Sequence, residues 1–135
     1  MEAGFKTTEE CVLAFDKLKM HKHARFLTFK VEGSNIVLEN TGERTENWES
    51  FVKTLPKEQS RYIVYDFTYT TKDQPPREVE KLIFIYWSPD EAPAKDKMLS
   101  ATARGAFRKN LMGVARDIQA KDFSDLEFDE VRDKL

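Results

Sequence analysis

Two stretches of the chain, Arg61–Tyr69 (RYIVYDFTY) and Lys81–Trp87 (KLIFIYW), are apolar or aromatic at nearly every position. A strand with one wet face alternates in polarity, whereas a strand covered on both faces reads as a continuous apolar run. Successive side chains point to opposite sides of a sheet, so both sides must be roofed, and this requires a central sheet with helices on each face. Between the two stretches lies Thr70–Glu80, with Asp73, Pro75 and Pro76. Prolines cannot serve a central ladder, so this segment is expected to be an exposed hairpin loop. At 135 residues and 40% hydrophobic, the chain has material for one core and is expected to form a single domain over residues 1–135.

The roofing helices are legible as periodic stripes. Thr7 and Glu10 have the spacing of a capping box, and Cys11, Phe15 and Leu18 recur at helical intervals behind them, which predicts a helix over Thr8–Lys19. Arg25–Val31, a Glu32-Gly33-Ser34 turn and Asn35–Glu39 read as a hairpin, with Phe26 on the opposite face from Leu27 and Phe29. Trp48, Phe51, Val52 and Leu55 form the stripe of a short helix over Asn47–Leu55 that Pro56 closes. Pro89 and Pro93 precede a long helical segment, Ala94–Met112, which Gly113 ends. Val114–Ala120 reads as a short edge strand and Ser124–Leu135 as an acidic terminal helix. The fold class is α/β (α+β).

Function concentrates in the long helix. Wound at about 100° per residue, it turns Leu99, Ala103, Ala106, Phe107 and Leu111 to the sheet. The opposite side presents Lys97, Ala101, Arg104, Gly105, Arg108 and Met112, flanked by Met98 and Lys109. A merely solvated face gains nothing from Gly105, which costs about 1 kcal/mol against alanine in a helix interior. Small residues bordered by cations and adaptable methionines let a partner approach the backbone, bury apolar area and meet acidic groups at the rim. The face reads as a protein-docking ridge.

Other classes fit less well. A formal charge of -2 gives no global field toward nucleic acid or anionic lipid, and no apolar run approaches the length of a bilayer span. Cys11 is the only cysteine; it excludes an internal disulfide, fits a reducing cytoplasmic setting and sits on an apolar stripe as a buried structural thiol. His21 and His23 have no neighbouring cysteine or carboxylate cluster and read as solvated, so no metal or cofactor is expected. No phosphate loop, nucleophile elbow or catalytic acid pair is present, which argues against an enzyme. Lys17, Lys19, Lys22 and Arg25 are interrupted by Leu18, Met20 and both histidines, and give only weak support to nuclear entry.

Trp87–Met98 reads WSPDEAPAKDKM and continues to Gly113 as LSATARGAFRKNLMG. This resembles the signature of ADF/cofilin proteins: a strand, a W-x-P-D-x-A-P turn, and a helix entered by two basic residues and Met. LPKEQ (Leu55–Gln59), RYIVYDFTY and DFSDLEFDEV (Asp122–Val131) match the family's pattern in the same order, so the resemblance covers nearly the whole chain. It implies the ADF-homology fold, a mixed sheet of five or six strands flanked by helices on both faces. It further implies a monomeric protein of the actin cytoskeleton that binds G-actin and F-actin, prefers ADP-bound subunits and promotes filament severing and turnover. A coactosin-like side binder of filaments, with weak or no severing, is the alternative.

Carried over by position, Lys95 with Lys97 and Arg108 with Lys109 are the basic pairs of the actin-binding helix. Met98 packs in the actin cleft, and Ala3, Gly4 and Phe5 lie beside the helix. Phosphoinositides are expected to compete at Lys95, Lys97, Arg108 and Lys109. The filament site falls on Arg77, Lys81, Asp133 and Lys134. Four departures bear on this. The first serine is Ser34, so the family's amino-terminal phosphoserine switch is expected to be absent unless Thr7 or Thr8 substitutes, and Glu2 already adds a negative charge there. Glu78, Val79 and Glu80 stand between Arg77 and Lys81, and no basic position follows Lys134, so filament contacts are expected to be weaker than monomer contacts. Relatives often carry a charged residue at the position of Gly105.

Overall fold

The two apolar stretches pair with each other at the centre of the sheet. A computed structural model describes residues 4–135. Its elements are β1 (Lys6–Thr7), α1 (Glu9–His21), β2 (Phe26–Glu32), β3 (Asn35–Gly42), α2 (Trp48–Lys53), β4 (Arg61–Thr70), β5 (Glu78–Trp87), α3 (Ala94–Arg108), β6 (Arg116–Ala120), a 3₁₀ turn (Phe123–Leu126) and α4 (Phe128–Arg132). One six-stranded sheet runs in the order β1-β3-β2-β4-β5-β6. The β2–β3, β2–β4 and β4–β5 pairs are antiparallel, and the outer β1–β3 and β5–β6 pairs are parallel, so the sheet is mixed. A parallel pair needs a long crossover, and α3 supplies it between β5 and β6.

Each face carries its own core. On one, α1 (Cys11, Phe15, Leu18) and α3 (Ala103, Phe107) pack with Leu27, Phe29, Ile36, Tyr62, Val64, Phe84 and Tyr86. On the other, α2 (Trp48, Phe51) and the carboxyl-terminal turn and helix (Leu126, Val131) pack with Phe26, Ile63, Tyr65, Phe67, Ile83, Ile85 and Trp87. Phe26 therefore lies on the opposite face from Leu27 and Phe29, as the hairpin pattern required. The register slips between Thr28 and Phe29, which pair with Asn40 and Leu38, leaving Glu39 as the extra residue of a bulge. Its carboxylate accepts from Thr28 Oγ1 at 3.1 Å and from Arg61 Nε at 3.0 Å.

Several boundaries differ from the sequence reading for local reasons. The amino-terminal cap of α1 is Thr8, not Thr7, and its side chain makes no capping bond; Thr8 Oγ1 instead lies 3.2 Å from the Cys11 thiol. Thr7 belongs to β1, a short strand without a periodic signal. The β4–β5 ladder runs out to Thr70 and Glu78, so the hairpin loop is shorter than Thr70–Glu80. Helix α3 stops at Arg108 rather than Met112, because Asn110 Nδ2 donates to the Ala106 and Phe107 carbonyls and the chain turns to bury Leu111. The single terminal helix is broken in two at Glu127, where the backbone is extended. Trp48 Nε1 donates to the Leu126 carbonyl at 2.7 Å, and the break lets Leu126 and Val131 both reach the core.

Candidate functional site

Helix α3 is fastened to the sheet by its buried side, Ser100, Ala103, Ala106 and Phe107. Phe107, 1% exposed, stacks on Tyr62 at 5.0 Å between centroids and meets Phe29 at 4.7 Å. Tyr62 Oη donates to the Ser100 carbonyl at 2.5 Å, and Tyr86 Oη lies 2.7 Å from Ser100 Oγ. Burial, seconded by the neighbouring Tyr86, raises the Tyr62 phenol far above its ordinary range, so it stays a donor.

These two tyrosines rotate the helix relative to the sequence reading. Ser100 is drawn into the core, and Leu99, expected to face the sheet, is only half-buried. The exposed crest is accordingly Met98, Ala101, Thr102, Gly105 and Lys109, with Met98 62% exposed. Lys97, Arg104 and Arg108 do share one side, but that side is the flank leaning toward β6, and all three are half-buried. Lys97 Nζ donates to the Asp90 carbonyl at 2.6 Å. Arg108 Nε faces both Asp117 carboxylate oxygens at 3.0 Å, and Arg104 Nη2 stands 3.9 Å from Asp117. Met112, 72% exposed, lies past the end of the helix instead of on the stripe. Gly105 has open space around it, with nothing within 4 Å of where a Cβ would stand.

The amino-terminal candidates divide. Ala3 lies outside the described residues. Gly4 is exposed with φ 81°, Phe5 packs against the α1–α3 core, and Asn110 Nδ2 at the end of α3 donates to Thr7 Oγ1 at 3.1 Å. Phe5 and Thr7 thus lie against the end of α3. Lys95 and Lys109 are exposed, whereas Lys97 and Arg108 are held on the β6 flank. The four cations are strung along roughly 20 Å of helix and do not form one cluster.

A second group gathers at the far end of β4 and β5, where the opposite-face α4 ends. Lys81 Nζ donates to the Leu135 backbone oxygen at 2.9 Å and stands over the Tyr69 ring at 5.8 Å, while Lys72 pairs with Asp133 at 3.7 Å. Arg77 is tied to Asp73 in its own loop at 2.9 Å, and Lys134 is exposed. Lys81 and Asp133 are therefore brought to one locality, and Arg77 is engaged within its own loop.

A family model described as cofilin/tropomyosin-type actin-binding protein matches residues 4–135. The chain belongs to the ADF/cofilin family. Its relatives include a cofilin of Mycosarcoma maydis, 37% identical over 100% of this chain and 96% of that one. Actin-depolymerizing factor 12 of Arabidopsis thaliana is 34% identical over 98% and 95%. The crystal structure of Streptomyces griseoflavus cofilin superposes with a TM-score of 0.88 at 30% identity, covering 97% of this chain and 96% of that one. Human coactosin-like protein shares the fold at 19% identity with a TM-score of 0.78, covering 100% and 90%.

As an actin-binding ADF/cofilin protein, this chain carries its ridge and its hairpin cluster on opposite faces of one sheet. The sequence reading missed Asp90 and Asp117 as partners of the ridge cations, and Ser100 as a buried anchor. The β5-α3-β6 crossover was the available signal for Asp117, since a parallel return strand must lie beside the helix that leads to it. Cys11 is buried as expected; its thiol donates to the Ile36 carbonyl at 3.3 Å, and burial raises its pKa.

Proposed function

We propose that the crest of α3 is the actin-monomer docking surface, that ADP-bound actin is preferred, and that the hairpin cluster of Lys81, Asp133 and Lys134 contacts a second subunit in filaments. Binding then shifts the filament toward states that sever and disassemble, a change of population rather than a chemical step. The observation that carries this reading is the ridge itself. A helix anchored by Phe107 and Ser100 presents small and thioether side chains at Met98, Ala101 and Gly105, with Lys95 and Lys109 at their margins.

Replacing Lys95 and Lys97 together by alanine is expected to weaken monomer binding by about tenfold or more, measured by fluorescence of labelled actin monomers. Unchanged affinity would contradict the docking assignment. A second reading, side binding with little severing, draws on Arg77 being spent on Asp73 and Lys81 on the Leu135 oxygen. Imaging of single labelled filaments separates the two: breaks along the filament favour the first, decoration without breaks the second. Phosphoinositide vesicles are expected to compete through Lys95 and Lys109, the two exposed members of the basic quartet.

A further inference from the structure

Asp117, near the start of β6, is the point on which both flank arginines converge. Arg108 Nε donates to its two carboxylate oxygens at 3.0 Å each, and Arg104 Nη2 approaches at 3.9 Å. The same arginines are held from other directions. Arg108 Nη1 donates to the Leu111 carbonyl at 2.9 Å, and the Arg104 guanidinium lies over the Tyr86 ring at 5.6 Å. Neither is used up. Arg108 Nη2 has no hydrogen-bond partner among the described residues, Arg104 makes no hydrogen bond there, and its buried Nε is unpaired. Their side chains, Arg108 34% and Arg104 37% exposed, are part-open to solvent beside the crest.

We infer that Asp117 is a positioning residue for actin docking: it gathers Arg104 and Arg108 into one pre-arranged pair of guanidinium groups whose outward edges receive a carboxylate of the docked actin. The inference rests on α3 being the docking ridge. An arginine that is loose before binding loses rotamer freedom when it binds, and fixing it during folding removes that cost from the association. Asp117 occupies Nε of Arg108 and the Leu111 carbonyl occupies Nη1, which leaves Nη2 as the charged donor for a partner carboxylate. Against this stands the Coulombic penalty of a negative charge near an acidic partner. Two guanidinium charges face the single carboxylate of Asp117, so the group keeps a net positive charge toward an acidic partner. On this inference the gain from holding both arginines in place exceeds that penalty, and binding to actin monomers reads the sign directly.

The test compares Asp117→Asn and Asp117→Glu in the full chain, with binding to actin monomers as the readout. Asp117→Asn is expected to weaken binding by about fivefold, and Asp117→Glu to return most of it. Thermal midpoints should hardly move, because a partly exposed ion pair adds little to stability. In a background of Arg104→Ala with Arg108→Ala, Asp117→Asn should cause no further loss. Unchanged or tighter binding by Asp117→Asn in the parent chain overturns the inference, as does an equal loss in the background without the arginines. The Lys95→Ala, Lys97→Ala variant keeps the two claims apart. If it loses affinity while Asp117→Asn does not, the ridge stands and the positioning role falls; if it binds as the parent does, the ridge itself is wrong.

Discussion

Ser100 is the polar residue on the buried side of α3, and it decides how that helix is turned. Its hydroxyl meets Tyr86 Oη at 2.7 Å, and its carbonyl takes the hydrogen of Tyr62. Replacing Ser100 by alanine leaves the Tyr86 hydroxyl buried without its side-chain partner, at a cost of about 1–3 kcal/mol. Urea unfolding monitored by tryptophan fluorescence measures this loss. The Tyr62 bond goes to backbone and survives, so the helix should remain docked. Glu39 shows the same economy of polar groups. Burial alone would raise its pKa, but the Arg61 hydrogen bond and charge, with the Thr28 hydroxyl, hold it below the ordinary carboxylate range. The bulge that sets Glu39 apart from the ladder is what lets one carboxylate serve both partners.

Elements differ in how far their own residues announce them. Strands β4 and β5 were legible because burial on both faces leaves a run with few polar interruptions, and α2 because four apolar residues fit one stripe before a proline. The two-residue β1 was not, since a strand that short has no period, and its place depends on β3. The long helix was legible in position but not in rotation: Leu99 looks more apolar than Ser100, and only the tyrosines on β4 and β5 reverse their order. Gly105 belongs to this scale as well. It lies in the helix interior with open space about it, so Gly105→Ala should stabilise the fold by about 1 kcal/mol, read as a higher urea midpoint. A matching fall in actin affinity would show that the glycine is kept for close approach by the partner. Equal or better affinity would mark it as incidental to docking.

Across the molecule, the double roof makes both cores dependent on neutral aromatic side chains. Burial pushes the Tyr65 phenol up from 10.0 to about 12. A phenol that ionises at a higher pH when folded contributes stability that is intact below pH 10.0 and is lost as pH rises toward about 12. The urea midpoint should therefore fall over that interval, and Tyr65→Phe should flatten the fall; an identical decline in the variant would assign it elsewhere, Tyr62 first. The same roofing separates the two candidate actin surfaces, because α3 and α4 cannot share a face. A ridge on one side and a hairpin end on the other suit a protein seated between two subunits. Finally, β1 hangs on the outer edge of β3 and is tied through Thr7 to Asn110, at the foot of α3. A fluorescent reporter grafted ahead of Lys6 would emerge at the foot of α3 and crowd the incoming actin, so live-cell tracking calls for a label placed away from both the ridge and the hairpin end.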